Sequence, residues 1–93
     1  LSLHGNKITD VSPLKDLKKL QYLQLENNEV TDVGPLAQLT AMASLYLTGN
    51  KITDVAPLAK MEKLASLYLG KNQITDLKPL AGIKRIGTLD LHA

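Results

Sequence analysis

Residues 20–39 read LQYLQLENNEVTDVGPLAQL, and the rest of the chain is this stretch again, whole or cut short. Leu1, Leu23, Leu45, Leu67 and Leu89 stand 22 residues apart, and so do Leu3, Leu25, Leu47, Leu69 and Leu91. The same interval links Asn6, Asn28, Asn50 and Asn72, and then Ile8, Val30, Ile52 and Ile74. Thr9, Thr31, Thr53 and Thr75 follow, each with an Asp beside it at 10, 32, 54 and 76. Pro13, Pro35, Pro57 and Pro79 keep step, each followed by a Leu at 14, 36, 58 and 80. No insertion or deletion breaks the interval. A period of this length and regularity marks a stack of like units.

Each unit splits into two halves. Around Tyr22-Leu23-Gln24-Leu25-Glu26 apolar residues alternate with polar ones, which predicts a short strand with one buried face. From Pro35 onward the apolar residues fall at 36, 39 and 42, a step that suits a 3₁₀ or short helical segment. Proline in its first turn removes a donor that has no partner there. A unit of this size encloses no core alone. Stacked, its leucines become rows and its strands a parallel sheet. Strand spacing of about 4.8 Å then sets the rise per coil, and four intervals give a stack roughly 20 Å long. Strands pack closer than helical segments, so the stack curves with its sheet on the inside.

Composition narrows the function classes. The apolar fraction is 44%, with no Phe, Trp or Cys. Aliphatic residues therefore supply almost all of the core, and neither a disulfide framework nor a Cys-based zinc site is available. Net charge is +2, from 11 basic and 9 acidic residues dispersed along the chain. That dispersion lacks the clustered basic face of a nucleic-acid binder. No run of 18 apolar residues exists to insert in a membrane.

The run Leu20-x-x-Leu23-x-Leu25-x-x-Asn28-x-Val30 resembles the leucine-rich repeat signature. Its continuation, Thr31-Asp32-Val33-x-Pro35-Leu36, is similar to the 22-residue type of bacterial internalins. The resemblance covers residues 1–93 and implies an α/β solenoid, a right-handed coil with a concave parallel sheet and convex 3₁₀ or helical segments. It implies a protein partner on the concave face and a secreted or cell-surface location in a bacterium. It identifies no partner, because the signature residues are those that build the coil.

Most of the other polar rows read as scaffold. An inward-turned Asn satisfies backbone groups of adjacent coils with its two donors and its acceptor. An Asp ahead of a turn accepts local backbone N–H groups. One Asp per coil does not converge on a calcium ion. His4 and His92 are roughly 20 Å apart by strand spacing, too far to share a ligand. Ser2, Ser12, Ser44 and Ser66 lack a base oriented by a third group. The glycines form no phosphate-cradling loop. Lys15, Lys18, Lys19, Lys60, Lys63, Lys78, Lys84 and Arg85 lie in the outer half of the units, mixed with Asp16 and Glu62, and read as solubilising side chains. The chain is expected to be no enzyme and to need no cofactor or metal.

The concave face carries the functional expectation. With Leu23 and Leu25 inward, residues 22, 24 and 26 point out. Translation by the repeat gives a grid: Ser2 and His4; Tyr22, Gln24 and Glu26; Ser44, Tyr46 and Thr48; Ser66, Tyr68 and Gly70; Thr88, Asp90 and His92. All three tyrosines of the chain fall on it. The expected partner-binding set is Tyr22, Gln24, Glu26, Ser44, Tyr46, Thr48, Ser66, Tyr68, Thr88 and Asp90. Tyr is favoured at interface centres, and the same tyrosines also suit a cross-strand ladder.

Both ends stop at a strand without a polar capping unit, which reads as a piece of a longer array or as ends that stack head to tail. Two function classes follow. One is a protein-recognition module using the grid, and the other is a passive spacer or assembly element. Side chains on the grid differ from coil to coil, which favours recognition.

Overall fold

The computed structural model describes residues 3–74, 76, 78–82 and 88–90, with backbone alone for 81–82 and 88–90. Ser2, Thr75, Lys84, Arg85, Leu91 and His92 of the repeat lie outside the described residues, as do the side chains of Thr88, Leu89 and Asp90.

Alternation of apolar and polar residues yields four strands: β1 (Tyr22–Gln24), β2 (Ser44–Tyr46), β3 (Ser66–Tyr68) and β4 (Thr88–Asp90). They form one parallel sheet in chain order, and each residue pairs with the one 22 positions on, Leu23 with Leu45, Leu45 with Leu67 and Leu67 with Leu89. The strand expected over residues 22–26 is thus three residues long. Its hydrogen-bond ladder nonetheless continues, with Leu25 N–H donating to Tyr46 O and Asn27 N–H to Thr48 O, both at 2.9 Å. Leu3 N–H and Gly5 N–H extend the ladder by one coil, donating to Gln24 O at 2.7 Å and Glu26 O at 2.9 Å.

The chain leaves β1, β2 and β3 through a left-handed residue, Asn27 (φ 57), Gly49 (φ 78) and Lys71 (φ 56), and Gly5 (φ 70) holds the same place in the first coil. Gly and Asn adopt this conformation at low cost, whereas Lys71 bears the Cβ penalty of a left-handed residue. The next residue but one, at 7, 29, 51 and 73, begins the return. There Glu29, Lys51 and Gln73 each donate a backbone N–H to the coil before, at 2.9–3.0 Å.

The second half of each unit is a 3₁₀ segment, over Ser12–Leu14, Gly34–Gln38, Ala56–Lys60 and Lys78–Gly82. Each begins one residue ahead of its proline, so the ring occupies the first turn. Ahead of each, an Asp carboxylate accepts the N–H two residues on: Asp10 from Ser12, Asp32 from Gly34, Asp54 from Ala56 and Asp76 from Lys78, at 2.8–3.0 Å. The row of acids is a row of turn formers, at exposed positions where like-charge repulsion is weak.

Between sheet and 3₁₀ segments lies an aliphatic core without aromatic rings. Leu23, Leu25, Leu36, Leu39, Met42, Leu45, Leu47, Ile52, Leu58, Met61, Leu64 and Leu67 are fully buried. Each repeat position contributes one similar side chain per coil, so the core is a set of rows running through the stack.

Asparagine sews the coils together. Asn28 Oδ1 accepts the N–H groups of Asn6 and Ile8, both at 2.9 Å, and its Nδ2 donates to Leu3 O and Leu25 O. Asn50 does the same for Val30, Leu25 and Leu47, and Asn72 for Ile52, Leu47 and Leu69. The polar row is consumed by backbone and is no binding ladder.

Candidate functional site

Once the leucines of a strand face the core, their neighbours must face solvent. Tyr22 and Gln24 flank buried Leu23, Ser44 and Tyr46 flank buried Leu45, and Ser66 and Tyr68 flank buried Leu67. Glu26 and Thr48 continue two of these rows past the strand ends, on half-buried positions. The structure therefore brings Tyr22, Gln24, Glu26, Ser44, Tyr46, Thr48, Ser66 and Tyr68 onto one face. The backbone of Thr88 and Asp90 joins the same register, opposite Ser66 and Tyr68.

Two of the tyrosines make a fixed object. Tyr46 and Tyr68 are register partners on β2 and β3, and their ring centroids lie 4.6 Å apart with planes 6° from parallel. The separation is close to the spacing of adjacent strands, about 4.8 Å, so the rings stack along the axis of the solenoid. Tyr22 is paired instead with Ser44, and Tyr22 is 58% exposed. Serines and threonine fill the remaining positions and keep the ground around the rings low.

One carboxylate on this face stands apart. Glu26 Oε1 is buried, and no hydrogen bond reaches it. Glu26 follows Leu25 at the end of β1 and is opposite Thr48, as the bond from Asn27 N–H to Thr48 O requires. The repeat holds His, Glu, Thr and Gly at this place, so periodicity gives no signal for the burial of one oxygen.

Off the face, no group of three or more His, Cys, Asp or Glu among the described residues is arranged to hold a metal ion. Lys51 pairs with Glu29 at 3.5 Å across adjacent coils, both side chains exposed. An apolar recess of about 540 Å³, lined by Asp16, Leu17, Lys18, Lys19 and Leu20, lies away from the sheet. Asp10 has its carboxyl held below the usual range by the Ser12 hydroxyl, which donates to it, and by the Ser12 backbone N–H. Its role belongs to the turn.

Known proteins share this arrangement. A family model described as leucine-rich repeats (2 copies) matches residues 1–38, 18–60 and 40–82. The crystal structure of an internalin C2 from Listeria monocytogenes is 43% identical with a TM-score of 0.96, over 98% of this chain and 40% of that one. A second internalin of the same species is 30% identical with a TM-score of 0.76, over 98% of this chain and 33% of that one. A leucine-rich repeat protein of Leptospira interrogans is 30% identical with a TM-score of 0.90, over 98% of this chain and 24% of that one. The chain thus spans two fifths or less of the length of each. No curated protein sequence matches it.

Proposed function

The chain belongs to the leucine-rich repeat family, and from that premise we propose that it is a protein-recognition module whose partner binds the concave face of the sheet. Solenoids of this kind offer extended surfaces to other proteins. The observation that carries the reading is the Tyr46–Tyr68 stack, two preordered rings with polar tips on the solvent side of a rigid sheet. Rigid amphipathic rings give contact area at little cost in side-chain entropy. Around them the coil-building residues repeat while the face-forming residues change from coil to coil, and specificity resides in what changes.

The test is a pull-down from the native source with the wild-type chain and with Tyr46→Ala and Tyr68→Ala combined. A partner lost by the double variant, with the circular dichroism spectrum kept, supports the face. A footprint centred on the lysines of the 3₁₀ side overturns it.

The competing reading is a spacer or a head-to-tail assembly element. Molecular size measured against concentration separates the two: growth with concentration favours assembly, and a constant monomer removes it. The solved structures it resembles include bacterial internalins, which supports a secreted or cell-surface location in a bacterium. Among the described residues no helix is long and apolar enough to cross a membrane.

A further inference from the structure

The recognition face has a charge pattern that the chain as a whole does not. None of the 11 Lys and Arg residues falls on the grid, although the chain carries a net charge of +2. The acidic residues Glu26 and Asp90 do fall there. The nearest lysines, Lys7, Lys51 and Lys71, sit in the turns beyond the strands, and Lys51 is already paired with Glu29. A basic protein therefore presents a sheet face whose formal charge, histidines aside, is negative.

Two details give this pattern a location. First, Glu26 Oε1 is buried without a hydrogen bond. A buried acceptor lacking a donor is a costly arrangement for a folded chain, and turning the carboxylate of half-buried Glu26 outward to a donor supplied by a partner relieves it. Second, Tyr46 gives one ring face to Tyr68 on β3. Its other face is necessarily turned toward β1, the strand that carries Gln24 and leads into Glu26. A diagonal step from Glu26 to Tyr46 crosses one strand and two residues, about 8 Å between backbones by strand geometry. That span fits a planar cation reaching a carboxylate at one end and an aromatic ring at the other.

We infer that this face takes a cationic side chain of its protein partner, an Arg guanidinium or a Lys ammonium, held between the Glu26 carboxylate and the ring face of Tyr46 turned toward β1. The carboxylate accepts charge-assisted hydrogen bonds from the cation. The ring attracts the cation through its quadrupole, and Arg gains further from stacking flat on it. Gln24 stands beside that ring and offers a neutral amide oxygen as an additional acceptor. Arg is the better fit, since its fork can serve Glu26 and Gln24 at once. The inference rests on the proposed recognition role of the sheet face and adds the chemistry of what is recognised there.

The experiment is an NMR titration of the isotope-labelled protein with three capped peptides, Ac-Gly-Arg-Gly-NH₂, Ac-Gly-Gln-Gly-NH₂ and Ac-Gly-Glu-Gly-NH₂. The Arg peptide is expected to move the backbone amides of Glu26, Tyr46 and Thr48 in a saturable, salt-sensitive way, and the other two are not. Glu26→Gln, which keeps the size of the side chain, is expected to weaken the Arg peptide by at least about fivefold through loss of the ionic acceptor. Asp16→Asn, an exposed acid away from the face, is expected to leave binding unchanged. Equal shifts from the Arg and Glu peptides, shifts centred on Asp16 or Glu62, or indifference to Glu26→Gln would each overturn the inference.

A partner captured by the pull-down separates this failure from that of the parent proposal. If it needs Tyr46 and Tyr68 but binds Glu26→Gln as well as wild type, recognition by the face stands and the cation site falls. If it needs neither the tyrosines nor Glu26, both fall.

Discussion

The side-chain oxygen of Asn50 accepts the backbone N–H of Val30 at 3.0 Å, so a residue of one coil completes the backbone of the coil before it. Its Nδ2 meanwhile donates to Leu25 O at 3.0 Å and to Leu47 O at 2.8 Å, one carbonyl from each coil. All three bonds are buried, and Asn50 itself is 6% exposed. The side chain replaces the water that these backbone groups lose when the stack closes.

Replacing that side chain tests the point directly. Asn50→Ala leaves the Val30 N–H without its partner, at about 1–3 kcal/mol, while Leu25 O and Leu47 O each keep a second donor, from Asn28 and Asn72. A loss of about 1–3 kcal/mol by the same reckoning is expected in urea unfolding. Asn50→Asp restores the acceptor and not the donors, so it is expected to remain well below wild type. An unchanged unfolding midpoint for Asn50→Ala would mean that water can serve these groups after all.

Acid should loosen one turn in a defined way. The Asp10 carboxyl is held below its usual range, chiefly by the Ser12 hydroxyl and then by the Ser12 N–H. A depressed folded-state value gives a contribution that is present above the unfolded value, near pH 4, and is lost as pH falls through the lower folded value. Ser12→Ala removes the hydroxyl. The stability gap between wild type and Ser12→Ala is therefore expected to be constant near neutrality and to close as the solution is acidified below about pH 4. Thermal melts across that range read it, and a gap that widens on acidification contradicts the assignment.

The stacked rings are coupled to each other whatever they bind. Offset stacking beyond simple burial is worth about 0.5–1.5 kcal/mol. A double-mutant cycle over Tyr46→Ala and Tyr68→Ala is expected to return a coupling in that range. Phe at both positions keeps the coupling and removes the hydroxyls, which divides ring packing from hydrogen bonding. Additive single effects would show that the rings are neighbours without interaction.

Glycine is needed unequally at equivalent turns. Gly5 and Gly49 both have positive φ, at 70° and 78°. A Cβ at position 5 meets nothing within 4 Å, whereas one at 49 lies 2.5 Å from Asn27 Oδ1. Gly5→Ala is expected to cost about 1–2 kcal/mol from the left-handed backbone alone. Gly49→Ala bears that cost and also displaces the Asn27 side chain, so its unfolding midpoint should fall further. The Asn27→Gly, Gly49→Ala double variant is expected to recover the difference.

Most of what repeats was legible in the sequence. The 22-residue interval gave the register of the sheet before any coordinate, because residues that recur in every coil must sit at the same height in every coil. Asn28 and Asp32 were readable as backbone partners for the same reason: one geometry has to serve four turns. What escaped lies between unlike residues. Sharing a column put Tyr46 beside Tyr68, but the 6° between their planes depends on side-chain torsions that no period encodes. The buried oxygen of Glu26 has no counterpart at His4, Thr48 or Gly70, and left no trace in the pattern. The strand ends proved shorter than the alternation suggested, since the left-handed residue at 27 begins to turn the chain while its apolar neighbours still alternate.

The asparagine row also gives the stack a grain. Every described bond from an Asn oxygen runs backward, from a later coil to the N–H groups of an earlier one. When a coil peels away at its C-terminal side, the coil before it is left with bared donors and no acceptor. When one peels away at its N-terminal side, the coil after it loses instead the carbonyls that its Asn Nδ2 and one backbone N–H had served, and keeps the Nδ2 bond within its own coil. The groups that depend on an Asn oxygen are therefore exposed by loss of the coil on their C-terminal side and not by loss of the one before. Hydrogen exchange of Ile8, Val30 and Ile52 should record that asymmetry as a graded loss of protection, with Ile52 the first to open.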